Sequence, residues 1–306
     1  MTSLPTLLRL RIKKERRKNK IFLWTARVSL VFTLLVLLAL VTDLFIRGAD
    51  RISLDFLLSF PSRFADKAGI VSAWVGTLCV MIVTAFVSVP LGVCAGIYLE
   101  EYAKKNKITS IIEVAIANLA GVPSIIYGLM ALGLFVYKFE LGQSVQTAGL
   151  TLALLILPII IVATREALRS IPLSVREAAA ACGATKLQVI RHHLLPYSTG
   201  GILTGIIIAL SRAIGETAPL VTIGALTYIA FLPHSPLSTE APFVSAEWLK
   251  DPFTVLPIQV FNWVSRPQEE FHRNAAAAAL ILMVLTFSMN IFAIVLRARV
   301  RRKIKW

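Results

Sequence analysis

The sequence predicts an all-α polytopic membrane protein with six transmembrane helices, and three observations predict it. The chain is 57% hydrophobic with mean hydropathy +0.75, too apolar for an ordinary soluble domain. Its apolar residues gather into runs of about 20 or more, the length that carries a helix across a hydrocarbon core of about 30 Å. Its 32 Lys and Arg outnumber 17 Asp and Glu, and most of the excess sits in the tails and short loops between those runs. That is the distribution of orientation charge, not of a nucleic-acid patch on a fold, so no nucleic-acid partner is expected.

The first element is a basic tail, residues 1–20, with Arg9, Arg11, Lys13, Lys14, Arg16, Arg17, Lys18 and Lys20. The apolar segment after it, 21–46, is longer than the about 7–15 apolar residues of a cleaved signal and has no small-x-small cleavage site. It is expected to remain as the first span. Further spans are expected near 71–99, 109–137, 147–168, 199–231 and 275–297, with a second basic tail at 298–306. Gly92 and Gly96 in the second span form a small-xxx-small face suited to close helix packing. In the third, Gly121 and Pro123 can bend the helix while Ser124 and Tyr127 supply hydroxyls, either as a simple kink or as the lining of a path. The fifth is too long for one straight crossing and holds Gly215, Pro219 and Gly224, so a bend or break near Pro219 is expected.

Lys104, Lys105 and Lys107, the charges from Arg165 to Arg191 and both tails all fall on one side, which the positive-inside rule makes cytoplasmic. Both termini are then expected on the cytoplasmic side of the membrane. The long outer loop, 232–274, has an apolar piece around Val255–Val264 and two tryptophans, Trp248 and Trp263. It suits either the headgroup layer of the surrounding lipid or a docking surface for an external protein.

One stretch interrupts the apolar second half. From Ser174 to Pro196, Ser174 with Glu177 and Thr185 with Gln188 read as two successive capping boxes. Gly183 between them is placed to end the first helix near Cys182 with positive φ, and Pro196 is expected to end the second. The pattern is also that of a DNA-reading helix-turn-helix, but apolar segments on both sides leave no room for a soluble domain and place it at a membrane surface.

Catalytic chemistry is not indicated. Nothing matches GxxxxGK[ST], no nucleophile–base set is supported, and His192 and His193, adjacent on a helix, do not converge on a metal. Cys79 and Cys94 lie about 22 Å apart along one helix and cannot pair. The informative charges are Arg212 and Glu216 in SRAIGETAP, four residues apart and about 18 Å along the helix from Gly200. Ionisable groups at such depth face a bundle interior or a wet cavity. They are either a self-neutralising pair or an oxyanion site, with Arg212 as a planar donor, Glu216 as its holder or as acceptor from a protonated oxyanion, and Thr217 beside them.

EAAAACGATKLQVIRHHLLP resembles the EAA loop of ABC importer permeases, through Glu177, Ala178, Ala179, Gly183 and the later Pro196, with apolar Ile190 and Leu195 in the usual places. SRAIGETAP, AGVPSIIYGL and PFTVLPIQVFNW look like the phosphate-specific (Pst) permease pair, and GETAP is more like its A than its C subunit. The similarity runs roughly from Val71 to Leu296. It implies a type I ABC importer permease (MetI-like) fold over a core at 71–297, with the EAA loop at 169–196 seated in a groove of a separate ATPase. Glu177, Ala178, Ala179, Gly183, Leu187 and Ile190 would carry that coupling. It also implies a PstC-like second permease, two PstB-like ATPase subunits binding ATP and Mg, and a periplasmic or lipid-anchored PstS-like phosphate-binding protein. Arg212 and Glu216 alone take the family's implied place in phosphate passage; Thr217, Ser124 and Tyr127 are expected along the path from their hydroxyls. A permease for sulfate or molybdate, or a transporter or scaffold working without an ATPase, are the alternatives.

Overall fold

A computed structural model describes residues 4–235 and 245–303; the ends of both basic tails and residues 236–244 of the long loop lie outside the described residues. Helix α1 (Leu4–Gly48) fuses the basic tail with the first span, because no Gly or Pro interrupts the chain between Thr6 and Arg47. At 1.5 Å per residue its 45 residues reach about 67 Å, far more than a bilayer needs. Most of its apolar side chains are exposed, and it closes on the rest at Gly48, where a Cβ would sit 2.6 Å from Ala277 N. A short helix α2 (Leu54–Leu58) follows, its first turn capped by Ser53, which accepts from Phe56 N.

Helix α3 (Val71–Ile97) continues as a widened π turn to Tyr102. Helix α4 (Lys107–Leu119) is capped by Asn106, and α5 (Ser124–Ala131) continues as π turns to Lys138. The α4 and α5 segments meet at 105°, so the third span is broken rather than kinked. Pro123 cannot continue an α4 hydrogen-bond ladder and Gly121 bears no side chain to resist the turn. Helix α6 (Val145–Arg169) follows, with Ser144 as cap.

Next come α7 (Leu173–Ala181), α8 (Lys186–Val189), a π turn over Ile190–Leu194 and α9 (Leu195–Ile214). Pro196 does not end the second helix of the polar stretch, as the sequence suggested. Leu195 N donates to Ile190 O, five residues back, and this widened turn absorbs the register where Pro196 has no N–H to give. The helix carrying the fifth apolar segment therefore runs without a stop at Pro196 from Lys186 to Ile214, and 199–231 is not one continuous helix. It breaks at Gly215, before Pro219, which opens the short α10 (Ala218–Thr222), where a missing N–H costs nothing. Helices α11 (Leu256–Val264) and α12 (Glu269–Lys303) complete the chain. Among the described residues five helices are long and apolar enough to cross a membrane, six with the bent α4–α5 pair.

The core is built on α6, with α3 on one side and α9 on the other. Val80, Leu152, Ile156, Ile160 and Ala209 are buried there. The small face at Gly92 and Gly96 lets α3 touch α6: added Cβ atoms would lie 2.6 Å from Ile160 and 2.7 Å from Thr164. A second core stands at the α2 end. Trp263 is fully buried, with ring centroids 6.0 Å from Phe56 and 6.4 Å from Phe271. This corrects the expectation of a headgroup anchor, because α11 folds back onto α3 and α12. Leu256 N donates to Thr77 Oγ1 at 2.9 Å, and side-chain-free Gly76 admits the Thr254 carbonyl. Trp248, half-buried, packs against the main core.

Candidate functional site

Two discontinuities meet inside the bundle. The α9–α10 break leaves Gly215, Glu216 and Thr217 outside regular helix, with Glu216 N donating to Ala213 O at 3.2 Å. The α4–α5 break faces it through α5. A Cβ on Gly128 would collide with Thr222 Oγ1 and stand 2.7 Å from Pro219 Cα, so α5 and α10 touch backbone to backbone. Gly128, Pro219 and Thr222 were not singled out in the sequence as a contact; a glycine in an apolar helix gives no sign of what it approaches.

Arg212 lies in the last turn of α9 and Glu216 just beyond its end, so the pair bridges a helix terminus and does not share a helical face. Arg212 Nε donates to Glu216 Oε1 at 3.3 Å, with side chains 41% and 18% exposed. The two Nη groups make no hydrogen bond among the described residues, leaving one edge of the guanidinium fork open. Counted from Leu194, where the charged turn with Arg191, His192 and His193 ends, Arg212 is about 27 Å along the helix, farther than the count from Gly200 implied. Thr217 is half-buried before α10 and forms no side-chain cap.

Tyr127 is brought to this junction, within electrostatic range of Arg212, and Ser124 opens α5 half-buried. The Tyr127 hydroxyl donates to Leu119 O at 2.9 Å, satisfying a terminal carbonyl of α4 and fastening the two halves of the broken span. Its proton is thus engaged, while its oxygen remains able to accept.

At the other end of the bundle the polar stretch folds as a tight α7–α8 hairpin. Gly183 has φ +80°, and Gly183 N and Ala184 N donate to Ala180 O and Ala179 O, a Schellman closure. Thr185 and Gln188 form the second capping box as expected. The first does not form: Pro172 stands at the N-cap, Ser174 lies inside the helix, and Arg176 instead ties α7 back to the Ile171 and Leu168 carbonyls. Glu177, Ala178, Gly183 and Leu187 project from the hairpin, Leu187 with 65% exposure. Ala179 and Ile190 point inward and pack with Leu168, Ile171 and Leu194, so they hold the hairpin together instead of presenting a surface. His192 and His193 are exposed, and no group of metal ligands occurs among the described residues.

Arg165, Arg169 and Arg176 at this end are each held by an acid that no sequence motif marks. Arg176 makes two hydrogen bonds to Glu101, the shorter 2.9 Å, and Arg169 grips Glu100 at 3.0 and 3.2 Å. Arg165 reaches Glu113 at 2.7 Å. Consecutive acids at the end of an apolar span, and one more inside the next, were the available signal.

Residues 88–302 match the family described as binding-protein-dependent transport system inner membrane component. A phosphate transport system permease protein PstA of Yersinia pestis is 32% identical, over 96% of this chain and 96% of that protein. Its counterpart in Haemophilus influenzae is 30% identical over 92% and 95%. The inward-facing methionine ABC transporter MetNI has a chain of similar fold, with TM-score 0.57 and 19% identity over 74% of this chain and 93% of that one. On the family match over residues 88–302 and relatives at about 30% identity over nearly the whole chain, this chain belongs to the binding-protein-dependent ABC permeases, in their PstA branch.

Proposed function

We propose that the chain is the membrane-spanning permease subunit of an ATP-driven importer of inorganic phosphate, working beside a second permease, two ATPase subunits that hold ATP and Mg, and an external phosphate-binding protein. The chain itself performs no catalysis. The observation that carries this reading is Arg212 at the α9–α10 break, one edge bound to Glu216 and the other free. A guanidinium edge offers two parallel N–H donors to an oxyanion. Glu216, ionised, can accept the hydrogen of a monohydrogen phosphate, which sulfate lacks. Thr217, Ser124 and the Tyr127 oxygen border the same junction. One cation cannot surround a dianion, so the second permease completes the path.

The α7–α8 hairpin is the coupling element. Its outward residues Glu177, Ala178, Gly183 and Leu187, with Leu173 beside them, give a small convex tip for an ATPase groove, held rigid from inside by Ala179 and Ile190. The tip and both termini lie on the cytoplasmic side, where the basic residues gather.

The test is uptake of phosphate and of sulfate by vesicles containing the complete importer with ATP. Arg212→Ala is expected to abolish phosphate uptake while the subunits still co-purify. Glu216→Gln should narrow the preference for phosphate over sulfate by about tenfold or more, the worth of one charged hydrogen bond. Wild-type uptake by Arg212→Ala would leave the pair a helix-terminal ion pair with no part in transport.

A further inference from the structure

The acid–base network at the hairpin end has an uneven construction. Arg176 and Arg169 are firmly held. Arg176 makes two hydrogen bonds to Glu101 and two more to the Ile171 and Leu168 carbonyls, and Arg169 grips both oxygens of Glu100 through Nε and Nη2. Arg165, 8% exposed, is not. Its Nη2 pairs with Glu113 Oε1 at 2.7 Å, but its buried Nε stands 3.4 Å from Glu100 Oε2 and completes no hydrogen bond. A buried guanidinium is ion-paired with two carboxylates, closely with Glu113 and more loosely with Glu100.

The loosely served side matters because of what Glu113 belongs to. No residue of α4 is buried. Only Thr109, Glu113 and Ile116 are partly covered, spaced as i, i+4 and i+7 on the face toward α6. Among the described residues, the ion pair to Arg165 is the salt bridge that ties this half of the broken span to α6. At its other end, α4 is fastened to the Arg212 junction through the Leu119 carbonyl and Tyr127.

Separating a buried ion pair usually strands a charge and is expensive. Here Glu100, held through both oxygens by Arg169, is also ion-paired with Arg165 at 3.4 Å, so release of Glu113 leaves the guanidinium a partner. Glu113, partly exposed, gains water. Glu100 also neighbours Glu101 on the π turn that ends α3, and Glu101 holds Arg176 of α7. A shift of α7 is thereby passed to the turn that carries the competing carboxylate.

We propose that Glu113 and Arg165 are positioning residues forming a releasable latch: it holds α4 against α6 in this conformation, and opens, with Arg165 passing wholly to Glu100, when the α7–α8 hairpin is displaced. The latch makes the broken third span answer to the hairpin. This rests on the reading of the hairpin as the coupling element, and the experiment separates the two.

The complete importer is reconstituted in vesicles with Cys79, Cys94 and Cys182 replaced by serine, and with spin labels on cysteines introduced at exposed Lys107, where α4 begins, and Ser170, where α6 ends. Distances are measured without nucleotide and with ATP trapped by vanadate. Wild type is expected to show two distances, one per state; Glu113→Gln is expected to show the separated distance in both. In the same vesicles, Glu113→Gln should raise the ATP hydrolysed per phosphate imported by about fivefold or more, with hydrolysis itself retained. Equal distances in both nucleotide states, or normal stoichiometry in Glu113→Gln, would overturn the latch. If Gly183→Val, run beside it, is uncoupled while Glu113→Gln is not, the hairpin reading stands and the latch alone falls; normal stoichiometry in Gly183→Val removes the hairpin reading as well.

Discussion

Arg212 and Glu216 show how much a residue pattern conveys and where it stops. Their four-residue spacing announced a pair, and they do pair, but across a helix end, because Gly215 terminates α9 before Pro219 is reached. The chain's charges in apolar stretches were visible; which of them would be left with a free edge depended on backbone breaks that spacing does not encode. Trp263 makes the same point for an apolar residue. A tryptophan in an outer loop suits a headgroup layer, yet this one is enclosed by Phe271, on the helix that follows, and by Phe56, far away in sequence. Trp263→Ala is expected to cost roughly 3–5 kcal/mol of stability and to lower the thermal unfolding midpoint in detergent. A midpoint equal to wild type would mean that α11 is not anchored there.

At the scale of elements, local chemistry was legible wherever the signal was itself local. The Thr185–Gln188 box and the positive φ of Gly183 followed from cap and turn residues alone. A Cβ at Gly183 would meet nothing within 4 Å, so substitutions there act through the backbone. Gly183→Asn, which tolerates the left-handed region, is expected to keep coupled uptake; Gly183→Val, which resists it by about 1–3 kcal/mol, should insert but lose coupling. Comparing phosphate uptake of the two variants at equal membrane abundance checks this, and equal activity would contradict it. Pro196 and Ser174 were less legible, because the sequence does not show that a π turn will absorb a proline or that Pro172 will start a helix first. Gly128 was silent until α10 was seen against it. Gly128→Val should force α5 from α10, at roughly 1–3 kcal/mol, and reduce uptake with the hairpin undisturbed, readable as normal co-purification of the ATPase.

For the molecule as a whole, composition and basic loops sufficed for an all-α membrane protein, and the number of spans depends only on how the bent α4–α5 pair is counted. Gly121 and Pro123 marked the first break, and the second falls at Gly215, just before the expected Pro219; composition could not convey which segments the breaks bring together. The segments that follow the two interruptions, α5 after Pro123 and α10 after Gly215, pack against each other at Gly128 and Pro219. The hairpin sits at the opposite end of α6 and α9 from Arg212 and Glu216, and the two are joined by those core helices and by α4 with its Glu113–Arg165 ion pair. The central claim is that these parts serve phosphate import powered by ATP. It is tested most directly by loading vesicles that contain the complete importer with ATP, adding radiolabelled phosphate with its binding protein outside, and following accumulation. Phosphate should concentrate inside only in the ATP-loaded vesicles and excess sulfate should not compete; accumulation indifferent to ATP, or none of phosphate while another anion enters, would contradict the account.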